Sequence, residues 1–271
     1  MDDCGQPVGV VVPLVQNGAP SAKGQWPWLA AIFIKTSVGQ DFQCGGSLVS
    51  TSHVVTAAHC IKDPNKPAIS SDSFIVIVGK YNLRRAEPES EPRDISRVMM
   101  HPGYATGKFD NDIAIMILES PVPITASVRP VCLWPEGQQD LSYVVNKKGT
   151  VVGWGKDEQG NRVTDIPKMV NMPLVSQEEC LRSHRNYYYL TSDNTYCAGG
   201  RDGAGPCNGD SGGGMFFKER TSDGSSRWML RGVVSLSLQD EETRQCDLNN
   251  YIVFTDVAKY LQWIKNVIGQ F

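Results

Sequence analysis

Cys207-Asn208-Gly209-Asp210-Ser211-Gly212-Gly213 is the stretch on which the reading of this 271-residue chain turns. Its glycines permit a tight turn, because glycine adopts backbone conformations that other residues avoid. Such a turn can expose the Ser211 hydroxyl and aim neighbouring main-chain N–H groups at one point. Alone, the heptapeptide also fits an ordinary Gly/Ser turn. Two further segments change the balance. Thr56-Ala57-Ala58-His59-Cys60 sets a histidine just after an apolar run, and Asp110-Asn111-Asp112-Ile113-Ala114-Ile115 leads a polar cluster into an apolar strand. Separately they read as a structural histidine and a capped strand end. Together the three segments supply a hydroxyl nucleophile, a base to take its proton, and a carboxylate to fix the base and stabilise its cation.

Working outward, short β-rich runs recur at residues 28–34, 46–56, 74–78, 112–118, 149–152, 228–235 and 251–255. Polar or Pro/Gly-rich segments at 62–67, 87–93, 155–165 and 219–227 separate them as loops. Only the end reads as helical: Val257, Tyr260, Leu261, Ile264 and Ile268 recur at helical steps behind Asp256, which is placed to cap the first turn. A β-rich body with one terminal helix suits two packed barrels, with a site in the cleft between them.

Composition bounds the function. Charge is nearly balanced, 26 basic against 29 acidic residues, which argues against nucleic acid or an acidic membrane as a charge-driven partner. No stretch reaches the roughly 18 apolar residues of a membrane helix. The start, Met1-Asp2-Asp3-Cys4, lacks the basic-then-apolar pattern of a signal peptide. The 8 cysteines contain no CxxC pair, so four disulfides in a secreted, extracellular chain fit better than a zinc cluster. No Asn-x-Ser/Thr sequon occurs.

The order His59, Asp112, Ser211, each in its own motif, resembles the chymotrypsin-like serine proteases. Gln25-Trp26-Pro27-Trp28, Cys44-Gly45-Gly46-Ser47-Leu48, Gly153-Trp154-Gly155 and Tyr196-Cys197-Ala198-Gly199 extend the likeness over residues 15–271, leaving 1–14 as a leader. The resemblance implies an all-β fold of two packed six-stranded antiparallel β-barrels with a C-terminal α-helix. It implies Ser211 as nucleophile, His59 as general base and acid, Asp112 as its orienter, and an oxyanion hole from the N–H groups of Gly209 and Ser211. Ser235 is implied near Asp112. The implied disulfides are Cys44–Cys60, Cys180–Cys197, Cys207–Cys246 and Cys4–Cys132, the last tethering the leader. No cofactor is implied.

Departures from the family pattern bear on specificity. Gly205 stands at the base of the pocket that reads the residue before the cut bond, where trypsin-like members carry an Asp; it offers Lys or Arg no counter-ion. Ser235, Ser237 and Ile252 are placed on that pocket, and Ile252 should shorten it toward Leu, Val or Ala. The long segment 238–245 with Asp240, Glu241 and Glu242 reads as a solvated loop, and Leu236 stands where many relatives have Trp. Lys80 occupies the position of a calcium-loop carboxylate, so no metal is expected.

By resemblance, cleavage of Leu14–Val15 frees an ammonium group that pairs with Asp210 and builds the oxyanion hole. A chain still carrying residues 1–14 is then a zymogen, with Asp210 held away from the interior for want of its cation. The first basic residue is Lys23, so a trypsin-like enzyme does not make this cut; self-activation suits an uncharged pocket. The non-basic activation bond and Cys4 tether, with Gly18-Ala19-Pro20 and Gly79-Lys80-Tyr81-Asn82-Leu83-Arg84, resemble arthropod modular proteases that initiate haemolymph cascades. That implies another protease zymogen as substrate, a serpin-type inhibitor, and upstream recognition modules. The rivals are a catalytically silent pseudoprotease, which the intact triad disfavours, and a broad digestive protease, which the tethered leader disfavours.

Overall fold

Runs rich in Val, Ile and Leu in the first half of the chain pair edge to edge until no edge is left. The computed structural model describes residues 4–9, 19–62, 69–155, 163–221, 223–240, 242–243 and 245–270. Strands β1 (Leu29–Thr36), β2 (Gly39–Ser50), β3 (His53–Thr56), β4 (Phe74–Val78), β5 (Glu91–Met100) and β6 (Ala114–Leu118) form a closed barrel in the order β1-β2-β3-β6-β5-β4. The run 46–56 is thus two strands, paired through Ser50 and His53 across a turn. β5 overlaps the segment read as a loop at 87–93. Only Ile95 is fully buried along it, so its outward, charged residues hide the strand from a hydrophobic reading.

The second half supplies β7 (Lys148–Gly153), β8 (Lys168–Pro173), β9 (Thr195–Ala198), β10 (Gly214–Arg220), β11 (Ser226–Ser237) and β12 (Ile252–Asp256), in the order β8-β7-β10-β11-β12-β9. A bridge between Leu174 and Ala198 returns the chain after β8 to β9. Bonds of 3.0 Å from Gly199 N to Pro173 O and from Val175 N to Cys197 O reinforce it, completing a second ring of six. Two short additions depart from a purely antiparallel six: Ala19–Pro20 lies along β8, and Cys132–Leu133 runs parallel to β11. The segment 219–227, read as a loop, is largely the hairpin joining β10 to β11.

The parallel pair places Cys132 where Cys4 reaches it. Gly5 donates to Pro130 O and accepts from Trp228 N, both at 2.9 Å, so the start of the leader lies against the second barrel. The remaining disulfides are Cys44–Cys60, Cys180–Cys197 and Cys207–Cys246, the pairings implied by resemblance. Helices α1 (Gln177–Ser183) and α2 (Tyr187–Leu190) precede β9. At the C-terminus Asp256 accepts a bond from Ala258 N, as a cap should. The first turn, Val257–Tyr260, is a tighter 3₁₀ turn than the sequence suggests, and α3 (Leu261–Gln270) follows it.

Aromatic packing joins the barrels. Phe216 of β10 sits 5.6 Å from Trp28 and 5.8 Å from Trp26, ring centre to ring centre, so one apolar core runs beneath the cleft. The second barrel also contains a charge the sequence reading did not single out. Arg231 on β11 is wholly buried, and its Nε and Nη2 donate to the two Asp256 carboxylate oxygens at 2.8 and 3.0 Å. It also donates to the carbonyls of Gln138 and Gln139 and lies 4.8 Å over the Trp134 ring. Burial pushes the Asp256 carboxyl up, while Arg231 pulls the other way.

Candidate active site

The ends of β3 and β6 carry two of the three singled-out residues to one edge of the first barrel. β3 leads into a 3₁₀ turn, Ala58–Cys60, that contains His59 and is pinned by the Cys44–Cys60 disulfide. Just before β6, Asn111 adopts a left-handed φ of 55° and turns the chain so that Asp112 enters the interior. Asp112 is 1% exposed and fully engaged. Its Oδ1 accepts from His59 N at 2.9 Å, and its Oδ2 accepts from His59 Nδ1 at 2.7 Å and Ser235 Oγ at 2.6 Å. With Nδ1 donating to the carboxylate, Nε2 is the ring nitrogen left to act as a base.

The second barrel contributes the hydroxyl and grips the carboxylate from behind. Ser235 lies on β11, and Thr255 of β12 donates its hydroxyl to Asp112 O at 2.9 Å. Ser211 stands in the turn before β10, where Gly45 N donates to Ser211 O at 2.9 Å and ties the two barrels together. This turn needs glycine at 212. Its φ is 75°, and a Cβ there would lie 2.2 Å from Thr56 Oγ1 and 2.6 Å from Gly45 O. Asp210, Gly212 and Gly213 donate their amides to Cys207 O, Val234 O and Asp210 O. The amides of Gly209 and Ser211 find no acceptor among the described residues, so both are available to a ligand oxygen.

His59 and Ser211 line one cleft of about 310 Å³, together with Phe109, Ser235, Leu236 and Ser237. The implied specificity residues are not all gathered there. Ser235 and Ser237 face this cleft, whereas Gly205 lines a second cavity of about 190 Å³ with Asp210, Lys168 and Leu248. The Cys207–Cys246 disulfide borders both cavities. Ile252 is buried in the core and lines neither; a Cβ on Gly205 would lie 3.7 Å from it.

Asp210 does not sit away from the interior, as its missing cation led the sequence reading to expect. It is 9% exposed, with Gly155 N donating to Oδ1 at 2.8 Å and Cys207 N to Oδ2 at 3.1 Å. Those two amides take the place of a cation. Burial nonetheless pushes its carboxyl up to about 6, against the pull of the two donors. Gly153 and Gly155 form the cradle, since a Cβ on either would come within 2.2 Å of a carboxylate oxygen. The expected activation residues Leu14 and Val15 lie outside the described residues.

Among the described residues, Cys44, His59 and Cys60 bring ligand-type atoms together, but the two sulfurs are bonded to each other and offer no thiolate. In the segment around Lys80, Glu87 accepts from Tyr81 N and Asn82 N, and Glu89 is paired with Lys23 at 3.0 Å. Lys80 donates to Arg85 O. A lysine and main-chain amides occupy the carboxylates that a cation would need. Among the described residues no helix is long and apolar enough to cross a membrane.

The sequence pattern of the Trypsin family matches residues 15–264. Serine protease gd of Drosophila melanogaster is 36% identical over 89% of this chain and 50% of its own length. Vitamin K-dependent protein C of Rattus norvegicus is 36% identical over 95% of this chain and 52% of its own. The proclotting enzyme of Tachypleus tridentatus is 32% identical over 92% of this chain and 64% of its own. The chain therefore spans about half to two thirds of the length of these relatives.

Proposed function

Because this chain belongs to the trypsin family of serine proteases, we propose that it is a serine endopeptidase whose working groups are His59, Asp112 and Ser211. Ser211 Oγ attacks the scissile carbonyl carbon, and its proton passes to His59 Nε2. The tetrahedral oxyanion is held by the amides of Gly209 and Ser211. Collapse breaks the C–N bond, and the His59 proton goes to the departing amine. Water then attacks the acyl carbon as it gives a proton to His59, and collapse breaks the bond to Ser211 Oγ, which takes that proton back from His59 as the acid leaves. Asp112 orients His59 and stabilises the imidazolium. The observation that carries this reading is the two-sided hold on Asp112, from His59 at 2.7 Å and Ser235 at 2.6 Å, beside a cleft shared by His59 and Ser211.

Full activity on this account follows cleavage of Leu14–Val15, when the Val15 ammonium joins Asp210 in its glycine cradle. The leader then stays attached through Cys4–Cys132. The separation of Gly205 from the Ser211 cleft supports an incomplete pocket before that cut. The same separation favours the second reading, a silent binding module, if the pocket fails to open. Gly205 carries no charge, so cleavage should follow Leu, Val or Ala. Four disulfides support a secreted setting. Relatives named for clotting support a cascade role with another protease zymogen as substrate.

The test uses the chain with an enteropeptidase site in place of residues 10–14, cleaved in vitro and profiled on a peptide library. Cleavage after small aliphatic residues, absent in Ser211→Ala, is the expected result. A profile dominated by Arg or Lys would overturn the specificity, and no cleavage of any peptide would favour the silent module.

A further inference from the structure

Asp110 is two residues before the carboxylate that orients His59, yet its own side chain points across to the other barrel. Its Oδ1 accepts from Ser192 Oγ at 2.7 Å and from Asn194 Nδ2 at 3.2 Å, both on the segment between α2 and β9. Its Oδ2 accepts from Asn111 Nδ2 at 3.1 Å. The same turn is caught at a second point. Tyr260 Oη, from the 3₁₀ turn ahead of α3, donates to Asn111 Oδ1 at 3.1 Å, and Asn111 is the residue held at a left-handed φ of 55°. Asn tolerates this left-handed conformation better than most residues, and the bond from Tyr260 helps to hold it here.

These contacts matter because of what the turn spans. Asp112 belongs to the first barrel, while Ser211 and its amides belong to the second. The alignment of base and nucleophile therefore depends on how firmly the 110–112 turn is fastened to the second barrel. Ser192 and Asn194 are in turn fixed to that barrel. Thr195 N donates to Ser192 O, and Asp256 N, beside Thr255, donates to Asn194 O at 2.9 Å. A continuous set of hydrogen bonds thus runs from Asp110 through Asn194 to β12, and from Thr255 back to Asp112 O. All of the groups in this circuit are half-buried or buried, where charge-assisted bonds are stronger and less screened than at the surface.

We propose that Asp110 is a positioning residue that, through Ser192 and Asn194, fastens the Asp112 turn to the second barrel and keeps the His59–Asp112 pair aligned with Ser211. This rests on the serine-protease reading above. Asp110 touches no substrate atom in this role. Its removal should slow the chemical step and leave binding nearly intact, because loss of alignment weakens transition-state contacts more than ground-state ones.

The experiment measures kcat and KM of the cleaved chain on succinyl-Ala-Ala-Pro-Leu p-nitroanilide, for wild type, Asp110→Ala, Asp110→Asn, and Ser192→Ala with Asn194→Ala. For Asp110→Ala the expectation is a kcat about tenfold lower, with KM changed by less than about threefold. Asp110→Asn retains an oxygen toward Ser192 and Asn194 and should recover most of kcat. The Ser192→Ala/Asn194→Ala chain should show the loss of Asp110→Ala, and combining all three changes should add little more, as for groups acting through one contact. A kcat for Asp110→Ala equal to wild type, or losses that simply multiply in the combined variant, would overturn the proposal. If Asp110→Ala fails to fold, the Ser192→Ala/Asn194→Ala chain alone decides it by the same kcat–KM split. A wild-type chain inactive on this and every other peptide would instead remove the serine-protease reading, which keeps the two failures distinct.

Discussion

Asp210 offers a prediction whose sign reverses on a single peptide-bond cut. In the uncleaved chain its carboxyl is buried in the Gly153–Gly155 cradle, and its pKa rises from an ordinary 3.8 to about 6. The folded chain then holds a proton at Asp210 that the unfolded chain has already lost. Between those two values stability falls as pH rises, since it falls wherever the folded state binds more protons. The contribution is fully present below pH 3.8 and gone above about 6. At about 1.4 kcal/mol per pH unit, the span from 3.8 to about 6 is worth about 3 kcal/mol. After cleavage the Val15 ammonium should sit beside the carboxylate. The folded pKa of Asp210 then drops below its unfolded value, so the pair stabilises the fold above pH ~4 and is lost as pH falls through that lowered pKa. The ammonium, held above its ordinary value near 8, gives way at the alkaline end.

The assay is urea unfolding of the cleaved and uncleaved chains from pH 3.5 to 8, each with and without Asp210→Asn. All four carry Ser211→Ala to prevent autolysis. Subtracting the Asp210→Asn curve cancels the other carboxylates. The uncleaved difference should fall by about 3 kcal/mol between pH 4 and 6, whereas the cleaved difference should stay level across that window and drop only as the pH falls below about 4. An uncleaved difference that is flat between pH 4 and 6, or a cleaved difference that falls by the same amount there, would refute the reasoning.

Other consequences follow from specific contacts. Arg231→Met leaves Asp256 buried without its bidentate partner and should lower unfolding free energy by about 3–5 kcal/mol, read by urea denaturation. If the loss stays below about 1 kcal/mol, water must reach Asp256. Asp112→Asn keeps the shape of the His59 contact but disturbs the tautomer that Nδ1 donation fixes, so kcat on a leucyl p-nitroanilide should fall about 10⁴-fold with little change in melting temperature. Gly205→Asp places a carboxylate in the cavity that Gly205 lines, where Leu248 is 3.2 Å from the new Cβ. It should raise cleavage after Arg relative to Leu by about 10- to 100-fold in competition on a peptide library.

Where the sequence was readable, a local pattern carried the signal. Each site motif places its residue at a strand end, so the ends of β3 and β6 and the turn before β10 could be recognised without knowing how the barrels pack. β5 was unreadable because only Ile95 is fully buried along it, and hydrophobic periodicity has little to report on such a strand. The run 46–56 concealed a turn because Thr51 and Ser52 carry neither Gly nor Pro. The parallel Cys132–Leu133 pair leaves no two-residue pattern of its own. Long-range electrostatics were the least visible. Arg231, a strand residue, and Asp256, legible only as a helix cap, lie 25 residues apart and show no link until β11 and β12 pair. Asp110 looked like part of a strand cap, because its partners Ser192 and Asn194 lie 82 and 84 residues away. The placement of Asp210 is hidden for a related reason: main-chain amides of Gly155 and Cys207 can solvate a carboxylate where no cation is written in the sequence.

The most direct measurement is active-serine labelling. The cleaved and uncleaved chains are treated with a biotinylated fluorophosphonate, and the modified peptide is located by mass spectrometry. The account predicts stoichiometric label on Ser211 after cleavage, much slower labelling before it, and none in Ser211→Ala or, at comparable rates, in His59→Ala. An unlabelled Ser211 after verified cleavage between Leu14 and Val15, or label on a different residue, would contradict it.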